Sequence, residues 1–116
     1  MNERDETRLE WIKEESEYLL ERAEGYDVED FIDDRDLQHI VTMTLINIGE
    51  SVKTLSKDLK ERYPEIKWRD IGALRDIAVH KYEKLRMEDI WENATVDVPV
   101  LLKQVKEILR NEGVEG

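Results

Sequence analysis

The sequence predicts an all-α protein, an antiparallel bundle of four to five helices, and three observations lead there. Charged residues make up 41% of the 116-residue chain and apolar ones 40%, a balance that suits helices with one wet, charged face. Only five glycines and two prolines punctuate it, too few for a strand-and-turn architecture. The apolar positions Leu37, Ile40, Val41, Leu45, Ile48, Val52, Leu55 and Leu59 also repeat by threes and fours. A chain of this length is expected to form one domain, residues 1–116, around a single core.

In order, the first helix is expected to start at Asp5 or Thr7, either of which can cap it, and to end near Gly25. Leu9, Ile12, Leu19, Leu20 and Ala23 form its buried stripe, with Trp11 and Tyr18 at the margin. Asp27 then caps a short turn through Ile32 that tucks in Phe31, the one phenylalanine. Asp33 or Asp34 caps the second helix, the central strut, which runs on to Tyr63-Pro64, where the residue before proline is pushed out of helical geometry. Gly49 in its middle marks either a close backbone approach or tolerated slack. His39 reads as a surface histidine.

The third helix is expected from Trp68 to about His80, with Ile71, Leu74, Ile77 and Ala78 facing the core. At about 100° per residue, Asp76 and His80 share the outward side, while Arg75 lies about 140° from His80. A regular helix does not aim both at one substrate atom, so either the helix breaks near Val79 or a second copy supplies the partner. Glu83 to Arg86 reads as a linker. A fourth helix, Met87 to Arg110, buries Ile90, Trp91, Ala94, Val98, Leu101, Leu102, Val105 and Ile108 and is expected to kink at Pro99.

Composition limits the chemistry. Without cysteine there is neither a disulfide scaffold nor thiol catalysis. No apolar run approaches the roughly 18 residues of a membrane span, and the polar start is no secretory signal, so a cytoplasmic, non-membrane protein is expected. The net charge of −11 is concentrated in residues 1–36, which hold fifteen acidic side chains against five basic ones. Residues 67–86 run the other way, at +3, a modest patch that suits a few phosphates. There is no Gly-rich phosphate loop, no His-Glu-x-x-His and no Gly-x-Ser-x-Gly, and Ile77 stands where a Glu-x-x-His metal motif needs its glutamate. Neither metal nor cofactor is expected.

What remains is the stretch Arg75-Asp76-Ile77-Ala78-Val79-His80-Lys81-Tyr82. On the helical wheel alone, a solvated face is its simpler reading. Its residue types also suit metal-free cleavage of RNA by its own 2′-hydroxyl. Histidine takes and gives protons near neutral pH, and a guanidinium stabilises the charged phosphorane. One histidine does not easily serve both ends of an in-line displacement, whereas two from a two-fold dimer do.

The run Tyr63-Pro64-Glu65-Ile66-Lys67-Trp68-Arg69-Asp70-Ile71, with Leu74-Arg75-Asp76, His80-Lys81-Tyr82, Asp89-Ile90-Trp91 and Asp97-Val98-Pro99-Val100-Leu101, resembles the HepT-like branch of the HEPN superfamily. Ile48-Gly49-Glu50 fits it too, and the likeness covers roughly residues 5–110. The resemblance implies a small helical toxin, homodimeric and acting as a metal-independent endoribonuclease. It also implies pairing with a minimal nucleotidyltransferase antitoxin that transfers AMP to a tyrosine. By position, Arg75 and His80 match the catalytic pair, Tyr82 the AMP acceptor, and Asp76 a supporting position where many relatives have asparagine. Lys81, Lys84 and Arg86 are the candidate RNA contacts, and Glu50 matches a family position with a structural hydrogen bond as its expected role. The rival reading is a non-catalytic binding subunit of the nucleotidyltransferase, which the acidic first helix and Asp76 favour.

Overall fold

The computed structural model describes residues 1–78 and 86–113. Among them every regular element is helical: α1 (Glu3–Ala23), α2 (Val28–Asp33), α3 (Arg35–Lys53), α4 (Lys57–Arg62), α5 (Trp68–Gly72), α6 (Met87–Glu92) and α7 (Val98–Asn111). A 3₁₀ segment, Ala73–Ala78, continues α5, and a π-helical turn, Asn93–Asp97, joins α6 to α7. The expected all-helical bundle is therefore present, with α3 as its central strut, packed by α1 on one side and by α5 and the 3₁₀ segment on another.

Three side-chain links fix α1 against α3 and the turn that follows it. Asp5 accepts from Ser56, Arg8 Nε donates to Thr54 Oγ1, and Asn47 donates to Glu15 Oε1 at 3.1 Å. One set of numbers rises as the other falls, so the two helices are antiparallel. Leu9, Ile12 and Leu19 of α1 and Val41, Leu45, Ile48 and Val52 of α3 are completely buried between them. Each such aliphatic side chain is worth about 1.5–3 kcal/mol relative to exposure. Leu20 is only partly buried, and Trp11 and Tyr18 are exposed. Phe31 is fully buried by α2 and stacks on Trp91 with ring centroids 4.9 Å apart, a contact worth about 0.5–1.5 kcal/mol beyond its area.

Asp27 caps α2 in a reciprocal box with Asp30, and Asp34 caps α3 through the Leu37 amide, both at expected positions. The start of α1 differs. Asn2 is the cap, accepting from the Asp5 N–H at 2.7 Å, because the Asp5 carboxylate turns inward. There it takes the Ser56 N–H at 2.9 Å and the Ser56 hydroxyl at 2.5 Å.

The same contact explains why the second helix does not run unbroken to Tyr63. Thr54 Oγ1 donates to the Ser51 carbonyl at 2.8 Å, and Ser56 Oγ accepts the Leu59 N–H at 3.2 Å as the cap of α4. Both hydroxyls offer the backbone an alternative to the next helical bond, and Asp5 locks the second one in place. Leu55 and Leu59 still reach the core, so the apolar stripe survives the break.

The third and fourth helices also lose their regularity. α5 tightens to 3₁₀ winding at Ala73, so the 100° wheel does not hold across Arg75 and Asp76. Ile71, Leu74 and Ile77 nevertheless pack partly buried on the core. At the other end, Pro99 has no N–H to return to Thr95. The disruption expected at the proline takes the form of the π turn just before it, while Thr95 Oγ1 bonds back to the Trp91 carbonyl at 2.8 Å. Ile90, Trp91, Ala94, Val98, Leu101, Val105 and Ile108 are buried as expected, and Leu102 is half-buried. Val79 and residues 83–85 of the expected linker lie outside the described residues.

Candidate active site

The backbone positions Arg75 through Gly49. A Cβ built on Gly49 would stand 2.5 Å from the Arg75 amide nitrogen, 3.1 Å from the Ile71 carbonyl oxygen and 3.1 Å from the Leu74 carbonyl carbon. Of the two readings open for this glycine, close backbone approach is the one observed. α3 and the 3₁₀ segment touch main chain to main chain, and the tightening of α5 falls where that contact is made.

From that seat Arg75 extends into solvent between two carboxylates. Its Nη1 lies 3.6 Å from Glu50 Oε2, and its Nε lies 3.5 Å from Asp76 Oδ1. These are ion pairs rather than close hydrogen bonds, which for charged partners run about 2.7–2.9 Å. With side chains 43–58% exposed, such pairs hold an arginine loosely and leave its donors available to another anion. Glu50, next to the glycine that admits the Arg75 backbone, thus acts as an ion-pair partner of that arginine. The expected structural hydrogen bond of Glu50 is not seen among the described residues.

His80, Lys81, Tyr82 and Lys84 lie outside the described residues, as does any contact of Asp76 with the His80 imidazole. Asp76 is instead seen beside Arg75. Arg86 precedes α6 and pairs at 3.8 Å with Glu88, both side chains exposed. His39, the other histidine, is exposed on α3, the surface position expected for it.

A cleft of about 640 Å³ opens on the Asp76 side of the segment, lined by Lys53, Lys60, Trp68, Arg69, Gly72, Ala73 and Asp76. Burial lowers the Lys60 ammonium from its ordinary pKa; Asp5 opposes that shift and Lys53 adds to it. Among the described residues, no three His, Asp or Glu side chains converge closely enough to hold a metal ion. No helix there is long and apolar enough to cross a membrane.

A candidate RNase of Caldanaerobacter subterraneus subsp. tengcongensis is 40% identical over 104 residues, covering 90% of this chain and 93% of that protein. The probable ribonuclease HepT of Thermococcus cleftensis is 34% identical over 93 residues, 80% of this chain and 84% of that one. A candidate RNase of Methanocaldococcus jannaschii is 29% identical over 105 residues, 90% and 85% of the two chains. No solved structure matches the chain. The model of the HepT-like ribonucleases matches residues 12–108, a span that includes Gly49, Glu50, Arg75 and Asp76, and the chain belongs to that family.

Proposed function

We propose that residues 1–116 form one cytoplasmic domain, a metal-independent endoribonuclease that acts as the toxin of a toxin-antitoxin pair. The observation that carries this reading is Arg75, held in water between two loose carboxylates by a backbone contact no other residue type would permit, in a chain of the HepT-like ribonuclease family. Two copies related by a two-fold axis supply two His80 side chains. One takes the proton of the 2′-hydroxyl as its oxygen attacks phosphorus. The other protonates the departing 5′-oxygen, leaving a 2′,3′-cyclic phosphate and a free 5′-hydroxyl. Arg75 neutralises the phosphorane oxygens between those events, Asp76 supports the site, and Lys81, Lys84 and Arg86 contact the RNA strand. A minimal nucleotidyltransferase antitoxin silences the enzyme by transferring AMP from ATP to the Tyr82 phenol, which loses its proton as pyrophosphate leaves, and the new phosphodiester competes for the same cations.

The purified protein, incubated with RNA in EDTA, is expected to yield 2′,3′-cyclic phosphate ends, and His80→Ala to yield none. RNA that stays intact with the wild-type protein would overturn the enzyme in favour of a binding subunit, a reading that the acidic first helix and Asp76 favour. Sedimentation is expected to give a dimer at micromolar concentration; a monomer would remove the composite site. Mass spectrometry after treatment with the nucleotidyltransferase and ATP is expected to place an adenylyl group on Tyr82, and an adduct elsewhere would sink the regulatory part alone.

A further inference from the structure

We infer that the cleft lined by Lys53, Lys60 and Arg69 is a second phosphate site, which holds the RNA backbone beside the phosphate that is cleaved. The inference rests on the ribonuclease reading of Arg75 and His80 and adds where the rest of the strand lies.

Three elements contribute one cation each: Lys53 ends α3, Lys60 belongs to α4 and Arg69 to α5. All three line the same cleft, and none forms an ion pair with a carboxylate among the described residues. What sets these three apart is that separate elements bring them to one cleft. Arg75, next to the cleft, has by contrast two carboxylates within 4 Å. Asp5, the acid that acts on Lys60, has both oxygens engaged by Ser56. Asp5 and the cleft's own Asp76, which is shared with Arg75, offset part of the charge of the three cations, and three cations against these two acids leave the cleft net positive, with Lys53 and Lys60 repelling each other where an anion would sit.

The cleft walls are built. Trp68 is buried, with its indole N–H fixed on the Tyr63 carbonyl at 3.0 Å. At Gly72 a Cβ would come within 3.0 Å of Lys53 Cγ, so the missing side chain lets the lysine lie across α5. The far wall is Asp76, whose carboxylate sits 3.5 Å from Arg75 Nε. A strand with one phosphate on Arg75 thus enters a groove of unpaired cations next to it. Groups that neutralise phosphates without reading bases give sequence-independent, salt-sensitive affinity.

The test uses full-length protein carrying His80→Ala, so that RNA is bound and not cut. Fluorescence anisotropy of a short labelled single-stranded RNA is followed from about 50 to 200 mM salt. Lys53→Gln/Lys60→Gln/Arg69→Gln is expected to weaken binding and to flatten the slope of log K against log salt by about 2, near 0.7 for each lost contact on a single strand. The triple variant Lys57→Gln/Lys103→Gln/Lys106→Gln changes net charge equally and is expected to leave the slope unaltered. If the cleft variant loses its circular-dichroism signal, Arg69→Gln alone is read, with an expected change of about 0.7. An unchanged slope in the cleft variant, or an equal change in the control, overturns the site. A cleft that loses ATP binding while RNA affinity is kept would make it a free-nucleotide site and overturn the RNA assignment. The ribonuclease reading fails separately, through intact RNA in EDTA with the wild-type protein while the salt slope still responds to the cleft.

Discussion

Arg62 and Arg75 each stand beside a glutamate, and they are held in opposite ways. Arg62 Nη1 donates to both oxygens of Glu112, at 2.8 and 2.9 Å, and the Tyr63 hydroxyl donates to one of them at 3.2 Å. The Glu112 side chain is only 12% exposed, whereas that of Glu50, the partner of Arg75, is 58% exposed and its oxygen lies 3.6 Å away. A short bond to a sheltered carboxylate satisfies the guanidinium and fastens α7 to the end of α4. Long contacts to wet carboxylates leave the guanidinium able to exchange partners at little cost. The first geometry suits a scaffold and the second suits the binding role proposed for Arg75, although both read as Arg and Glu in a charged helical sequence.

The strongest way to break this contrast is to exchange what each arginine loses. Arg75→Ala is expected to lower RNA cleavage by about 10²–10³-fold, with Arg75→Lys recovering little because lysine lacks the planar fork. Thermal unfolding of either variant is expected to stay within a few degrees of wild type, since the ion pairs removed are exposed. Rates from initial-velocity assays that matched wild type in Arg75→Lys would dismiss the fork. Arg62→Met is expected to do the reverse, keeping turnover while lowering the unfolding midpoint.

Gly49→Ala sharpens the contrast from the backbone side. Its methyl would meet the Arg75 amide nitrogen at 2.5 Å, with no flexible side chain to yield. Urea titration is expected to show a loss of about 1–3 kcal/mol, as for other overpacked sites, accompanied by reduced cleavage because the arginine is displaced. An unchanged midpoint would mean that the two segments separate freely.

The smallest effect concerns pH. The Arg62 hydrogen bond holds the Glu112 carboxyl below its ordinary 4.5, with the Tyr63 hydrogen bond assisting and burial opposing. A carboxylate whose folded pKa is depressed contributes stability that is complete above its unfolded pKa and is lost as pH falls through the folded value. Wild-type protein should therefore lose a little stability as acid is added below about 4.5, and Glu112→Gln should remove that slope while starting lower at pH 7. Parallel melting curves for the two proteins through the acid range would refute the pairing.

Much of the fold was legible because apolar periodicity reports directly on burial. The stripes on α1, α3 and α7 and the caps at Asp27 and Asp34 all stand where spacing places them. The interruptions were not legible, because each is decided by a contact distant in sequence. Asp5 reaches Ser56 from fifty-one positions away, and the winding of Ala73–Ala78 is tied to the contact with Gly49. The same holds for the site. Arg75 and Asp76 could be chosen from the motif, but the pairing of Glu50 with Arg75 depends on the crossing of α3 with the 3₁₀ segment. Lys53 and Lys60 did leave a signal: seven residues apart on what reads as one helix, they fall on one stripe. That spacing points to a shared face, while the third cation and the groove exist only once α5 folds back.

The contact at Gly49 has a dynamic consequence. Side chains adjust by changing rotamer, so two helices that touch through them slip past each other in small steps. Here main chain meets main chain, and the Arg75 segment is expected to move with α3 as one body. The two ends of Arg75 should then report different lifetimes of opening. Its guanidinium samples solvent freely, while its amide, pressed against the central helix, should exchange its hydrogen only when α3 itself lets go, on the timescale of global unfolding.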